Sequence, residues 1–264
     1  MINSFIKYLY NAFLSFGLDV RQLLRSIIGI PFYFTTWFAF RKTINKNEEG
    51  FKIAFPMPYL ADRFDTSGAA KGHYFHQDLL VAKKIFKSNP VKHVDVGSRI
   101  DGFVAHVASF REIEVFDIRD LKSNIPNIIF KQADFTDNNF SLSNYCDSIS
   151  SLHAIEHFGL GRYGDTPDYS GYLKGLNNIY KLLKPGGTFH FSVPIGEQQI
   201  VFNAHRIFSI SYLLKLFSEK YQLKSFSFVD DKGNLFEDSI LTDKLIKNNC
   251  NCTFGCGIFE LIKL

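Results

Sequence analysis

Two short segments carry the residue types from which a ligand site is built. His93-Val-Asp-Val-Gly-Ser-Arg-Ile-Asp-Gly-Phe103 closes an apolar run and opens a helical pattern. That is where open α/β sheets hold ligands, beyond the carboxyl ends of their strands. Gly97 permits a tight turn, and Gly102 lets the next helix begin close to the sheet with its free N–H groups toward a ligand. Asp95 can receive an ammonium group directly or through water, and Ser98 and Arg99 fill the loop between the two glycines. About twenty residues on, Val115-Phe-Asp-Ile-Arg119 sets Asp117, followed by Ile118, at the tip of a second strand. A carboxylate there accepts both hydroxyls of a ribose.

A second group of polar residues offers proton transfer and acceptor contacts. In Leu152-His-Ala-Ile-Glu-His157, either Glu156 or His157 is a base able to strip a proton from a hydroxyl or amine, and His153 precedes them at the strand exit. The spacing His153-x-x-Glu156-His157 also matches one metalloprotease signature. It follows an apolar strand directly, however, so the first histidine belongs at a strand end, and no third ligand is evident. Cys250, Cys252 and Cys256 form no C-x-x-C pair and read as small residues of a final strand, so no metal is expected. Gly159-Leu-Gly-Arg-Tyr-Gly-Asp165 is a flexible loop whose Arg162, Tyr163 and Asp165 suit gating or substrate contact. His73, His76, Asn203, His205 and Arg206 are polar residues in apolar surroundings, candidates to complete an acceptor pocket. Structural roles compete at each position: caps for Asp117 and Asp134, a hydrogen-bonded histidine for His157, caps or core histidines for His73 and His76.

The elements that must position these residues follow from periodicity. Short apolar runs alternate with helical patterns after residue 90, the signature of a parallel sheet covered by helices. Strands are expected at Val91 to Val96, Glu114 to Asp117, Ile128 to Phe130, Ser148 to Leu152, Thr188 to Val193, Leu223 to Val229 and Thr253 to Ile262. Helices should fill Phe103 to Phe110, Tyr172 to Leu183 and Ser209 to Glu219. Upstream, residues 46 to 89 read as a linker and a covering helix over His73 to Phe86, and residues 1 to 45 as an unusually apolar helical arm. Within the arm, Ile27 to Phe40 is broken by Pro31 and falls short of the ~18 residues a membrane span needs. Packing on the domain or a second subunit is the leading reading for the arm, and a peripheral membrane contact with Tyr33 and Trp37 at headgroup level is the other.

The order of motifs resembles the class I S-adenosylmethionine-dependent methyltransferases. The resemblance rests on the loop after the first strand, Asp117, Gln132-Ala-Asp-Phe-Thr136, the 147 to 157 segment and the Leu183-Lys-Pro-Gly-Gly-Thr188 turn. It implies a Rossmann-like α/β fold, a mostly parallel seven-stranded sheet whose last strand is antiparallel, with S-adenosylmethionine as cofactor. It also implies Asp134 near the adenine amine, Phe135 beside the ring, and Leu152 to His157 lining the methyl-transfer cleft. The segments G-H-Y-F-H-Q-D, V-D-V-G-S-R-I-D-G-F-V-A-H, L-H-A-I-E-H-F-G-L-G-R-Y-G-D and N-A-H-R further resemble a family known as domain of unknown function 268, over residues 55 to 260. The chain departs from methyltransferases at Arg99, where a second glycine is usual. Arg99 could reach the cofactor carboxylate, hold a phosphate, close the pocket, or only pair with Asp101 in solvent.

Composition narrows the setting. The chain of 264 residues is 46% apolar and 21% charged, values of a globular protein with one large core. Net charge is +4, with no basic stripe even at Arg41, Lys42 and Lys46, so a nucleic-acid partner is not expected. Twenty-nine phenylalanines suit a thick core and an apolar face toward lipid or protein. Four cysteines and no cleavable leader pattern point to a reducing, cytoplasmic setting with possible membrane association. The expected activity is methyl transfer to a small-molecule or carbohydrate-like acceptor. A non-catalytic relative of that fold and a nicotinamide-dependent oxidoreductase are the alternatives.

Overall fold

The computed structural model describes residues 2–43 and 53–264, so the first part of the expected linker, with Lys46, lies outside the described residues. The chain divides into two compact units, Met1–Ala69 and Ala70–Leu264.

The first unit is built on two helices, α1 (Ile2–Ser15) and α2 (Val20–Lys42). Asp19 caps α2 by accepting from the main-chain N–H groups of Arg21 and Gln22 at 2.9 and 3.1 Å. The helix runs through Pro31 for 23 residues, which is about 34 Å. Pro31 therefore does not end it, and among the described residues α2 is the one helix long and apolar enough to cross a membrane. Gly29 is the only buried residue on α2, because the carbonyl of Leu60 lies where a side chain would be. Arg25 pairs with Asp65 at 3.0 Å, and the Arg63 guanidinium sits 3.7 Å from the Phe32 ring centre. The remaining apolar side chains stay open, with Ile28 64% and Phe38 58% exposed.

The second unit begins with α3 (His73–Ser88) and carries the sheet. Strands β1 (His93–Val96), β2 (Ile113–Asp117), β3 (Ile128–Gln132), β4 (Cys146–Leu152) and β5 (Leu183–Ile195) are parallel neighbours in the order 3-2-1-4-5. A short hairpin, β6 (Gln199–Val201) and β7 (His205–Ile207), stands apart from the main sheet. Strands β8 (Tyr221–Val229), β9 (Leu235–Phe236) and β10 (Gly255–Lys263) complete it. The last strand, β10, inserts antiparallel between β5 and β8. The expected seven strands are all present, and β9 adds an eighth, two-residue edge strand that periodicity cannot detect.

Helices cover both faces. On one, Leu80, Val81 and Ile85 of α3 pack with Phe103, Val104 and Val107 against Val115, Leu152 and Ile258. This packing makes α3 part of the sheet unit, although by sequence it groups with the linker. On the other face, α5 (Gly171–Leu182), α6 (Ile210–Phe217) and α7 (Asp243–Lys247) cover a second cluster that includes Val94, Ile149, Phe189, Phe191 and Phe259. Burial on both sides leaves β1 and β2 without a solvent face, so that His93, Asp95 and Glu114 are buried among their apolar residues. The helix expected from Phe103 begins earlier, as a wide π-type turn over Ile100–Val104, and becomes α4 (Ala105–Ala108). Gly102 leaves helical geometry in that turn, and an added Cβ would come within 2.6 Å of the Asp78 carboxylate.

Candidate functional site

Strand order reverses direction between β1 and β4, and ligands of open α/β sheets bind in the crevice this creates. A cavity of about 260 Å³ lies there. Each neighbouring strand delivers wall residues from its carboxyl end: Gly97 and Arg99 after β1, Asp117 to Arg119 at β2, Ala133 to Thr136 after β3, and His153 and Ala154 after β4. Of the residues singled out by sequence, Gly97, Arg99, Asp117, Ile118, Asp134, Phe135, His153, His157, Tyr163 and Asp165 line this one cavity. Asp95, Ser98, Gly102, Glu156, His73, His76, Arg162, His205 and Arg206 are not among its lining residues.

The β1 loop is held by a buried brace. Asp95 accepts from the Ser98 N–H at 2.9 Å, the Ser98 hydroxyl at 2.6 Å and the Ser150 hydroxyl at 2.5 Å, and Ser98 Oγ accepts from the Leu152 N–H at 3.0 Å. Complete burial pushes the Asp95 carboxyl up to about 7 despite those donors. Asp95 thus fixes the loop to β4 from behind. Gly97 sits at φ +75°, and a Cβ there would meet Ala154 Cβ at 3.0 Å, so the backbone faces the cavity bare. Arg99 pairs with Asp101 through Nε at 3.1 Å and Nη2 at 2.8 Å, and its guanidinium lies 5.0 Å from the Tyr74 ring centre.

Asp117 is engaged by a residue that sequence reasoning missed. Arg119 grips both carboxylate oxygens, Nε on Oδ1 at 3.0 Å and Nη2 on Oδ2 at 2.7 Å, and stacks 4.5 Å from the ring of Tyr163. Tyr163 comes from the glycine-rich loop, so a side-chain bridge spans the cavity from β2 to that loop. Asp165 ties the loop itself, accepting from the N–H groups of Gly159, Gly161 and Tyr163 at 2.7, 3.2 and 3.2 Å. Asp134 turns the chain after β3, its Oδ1 accepting from the N–H and hydroxyl of Thr136, both at 2.7 Å. Phe135 is buried against Phe116 and Phe140.

At the other wall, His157 Nδ1 meets the Ala204 carbonyl at 2.7 Å, which places the proton on Nδ1 and the lone pair on Nε2. Burial holds its pKa below the usual histidine value, so the ring is neutral at neutral pH. Glu156 is almost fully buried behind it, with Oε1 2.7 Å from His153 Nδ1 and 3.7 Å from His157 Nε2. Burial opposes ionisation of Glu156, and the charge of His153 outweighs it. Arg206 is buried with its guanidinium donating to the carbonyls of Phe158 at 2.6 Å and Tyr169 at 3.1 Å, which fastens the segment after β4. Arg162 donates to Ala204 from an exposed position, and His205 packs 4.8 Å from the Phe254 ring.

Solved structures share this architecture. The 1,6-didemethyltoxoflavin-N1-methyltransferase of Burkholderia thailandensis, determined with its substrate and S-adenosylhomocysteine, superposes at a TM-score of 0.51 with 13% identity, over 71% of this chain and 78% of that one. The [4+2]-cyclase SpnF superposes at 0.51 with 14% identity, over 78% of this chain and 82% of its own. These likenesses fix the fold as the Rossmann-like methyltransferase type. No curated protein sequence matches the chain. The family model described as Caenorhabditis protein of unknown function, DUF268, matches residues 101–254, more than half of the chain, and the protein belongs to that family.

Proposed function

We propose that the protein transfers a methyl group from S-adenosylmethionine to a small-molecule or carbohydrate-like acceptor. The observation that carries this reading is the cavity at the β1/β4 reversal, where a carboxylate at the tip of β2 and another after β3 share one wall with a bare glycine. The residues present fit the cofactor. Phe116, Ile118 and Phe135 offer apolar faces to a purine, Asp134 an acceptor for its amine, Asp117 acceptors for two ribose hydroxyls, and Gly97 a close backbone approach. Bound there, the cofactor supplies an electrophilic methyl group on a sulfonium. For ribose to take Asp117, Arg119 must release it. The Arg119 side chain is half exposed and can return to water, while Asp117 is only 10% exposed, so the ribose hydroxyls must replace both hydrogen bonds it loses.

Methyl transfer depends mainly on alignment, and the chain supplies it through the braced β1 loop and the tied glycine loop. His157 Nε2 is the base for an acceptor hydroxyl or amine, with its tautomer set by Ala204. Tyr74 and Tyr163 line the cavity and suit a hydroxylated acceptor, with Arg162 stacked on Tyr163 outside the lining. Profiling with methyl-labelled cofactor tests the acceptor class. Label on soluble small molecules or glycans is expected, and label confined to protein or nucleic acid would refute it.

The arm carries a second proposal. A helix about 34 Å long with apolar residues exposed around it, basic residues at both ends and Tyr33 and Trp37 along it matches the dimensions and chemistry of a lipid bilayer. We infer that α2 anchors the protein to a membrane.

A further inference from the structure

Behind the cavity's His153 wall, three side chains distant in sequence converge. His73 is the first residue of α3, His153 follows β4, and Cys256 lies in β10. One donor atom from each lies within 4.8 Å of the other two. His153 is oriented from one side only: its Nδ1 meets Glu156 Oε1 at 2.7 Å, while Nε2 is buried with no hydrogen-bond partner. Cys256 is a fully buried free thiol whose polar contacts are Gln77 Oε1 at 3.6 Å and the Gly257 carbonyl at 3.9 Å. A buried imidazole nitrogen left unpaired is costly to the fold. A carboxylate on one ring nitrogen and an open second nitrogen is also how proteins prepare a histidine for a metal.

We propose that His73, His153 and Cys256 bind one zinc-class divalent ion, with Glu156 orienting His153 from behind. Two imidazoles and a thiolate form a borderline-soft donor set that selects zinc over magnesium or calcium. Bonds of about 2.0 Å to nitrogen and 2.3 Å to sulfur bring the donors about 3.5 Å apart. The side chains therefore draw in by about 1 Å on loading, a shift open to His73, the least buried of the three. Coordination needs Nε2 and Sγ deprotonated, and their protons leave to solvent. Three protein donors leave the fourth tetrahedral position open, as in sites where a metal meets water or substrate. His153 also lines the cavity, which puts the ion at that wall.

Sequence spacing hid this set because each apparent motif contributes only one ligand. The His153-x-x-Glu156-His157 signature supplies His153, the cysteine cluster supplies Cys256, and His73 comes from a helix far upstream of both. The site stands apart from the methyl-transfer reading, since it requires no S-adenosylmethionine.

The test uses the full-length chain, stripped with a chelator and titrated with cobalt(II) in the absence of any nucleoside. The expected result is one equivalent bound, a thiolate-to-cobalt charge-transfer band and the intense visible bands of a four-coordinate ion, all displaced by zinc. Cys256→Ser should abolish the charge-transfer band while Cys252→Ser retains it. Should Cys256→Ser fail to fold, His73→Ala, at the start of α3, is expected to weaken zinc binding by at least about tenfold. A wild-type protein with no charge-transfer band, a band that survives Cys256→Ser, or unchanged affinity in His73→Ala would each overturn the assignment.

Discussion

At the scale of single residues, the pair Asp117–Arg119 decides whether the cavity accepts a nucleoside. Two hydrogen bonds from a ribose to a carboxylate contribute about 1.5–3 kcal/mol each, so Asp117→Ala should weaken S-adenosylhomocysteine binding by tenfold or more. Arg119→Ala should tighten it, because the competitor for the same oxygens is gone, and thermal-shift titrations of the three proteins read this order directly. In the proposed reaction His157 serves the chemical step and not cofactor binding. Burial lowers its pKa from the usual histidine value of 6.5, so the basic form still predominates at 6.5 and activity should fall only at more acidic pH. His157→Gln should reduce kcat about a hundredfold and leave cofactor affinity unchanged. Asp117 was legible from its distance after the β1 loop, since that spacing is a property of the βαβ unit. Tyr163 was legible as part of the glycine-rich loop, whereas Arg119 and Tyr74 were not, because a side chain two residues on can turn either way and aromatic residues are abundant in this chain.

At the scale of elements, the site depends on turns and ties that allow little variation. Gly97→Ala forces a side chain into left-handed backbone and against Ala154, and should cost about 1–3 kcal/mol of stability along with cofactor binding. The sheet's far side has its own tie: Glu260 on β10 accepts from Lys84 of α3 at 3.0 Å and pairs with Lys224 of β8 at 2.8 Å. Burial opposes its charge, but the two lysines win and hold its carboxyl at about 2. A depressed carboxylate stabilises the fold above its ordinary range, and that stability is lost as pH falls from about 4.5 toward 2. Glu260→Gln should therefore lower Tm at pH 7 and approach wild type only near pH 2, a difference that paired calorimetric scans resolve. Strands β1, β2, β4 and β5 could be read from sequence because clustered Val, Ile, Leu and Phe mark each of them, even though polar residues such as Asp95, Glu114, Ser150 and His190 are buried among these. The two-residue β9 and the hairpin β6–β7 are too short to carry such a cluster. The π-type turn at Gly102 was equally silent, since the close approach of Asp78 of α3 that leaves no room for a side chain there comes from a distant element.

At the scale of the whole molecule, the two proposals concern different units of the chain, membrane anchoring the first and methyl transfer the second. Full-length protein should float with lipid vesicles and resist alkaline extraction, while a chain lacking residues 1–69 should stay in the aqueous fraction and still bind cofactor; flotation of the truncated form would place the lipid contact elsewhere. In the sequence, Pro31 and the flanking arginines made the apolar run look too short to span, yet the helix continues through the proline. The fold is shared with enzymes of different reaction, so the cavity's occupant matters more than the architecture. Calorimetric titration of the full-length protein with S-adenosylmethionine and S-adenosylhomocysteine, repeated on Asp117→Ala, measures that occupant. Micromolar binding of both that Asp117→Ala abolishes is the predicted result. No heat from the wild type, or heat only with a nicotinamide dinucleotide, would contradict the assignment of this cavity to methyl transfer.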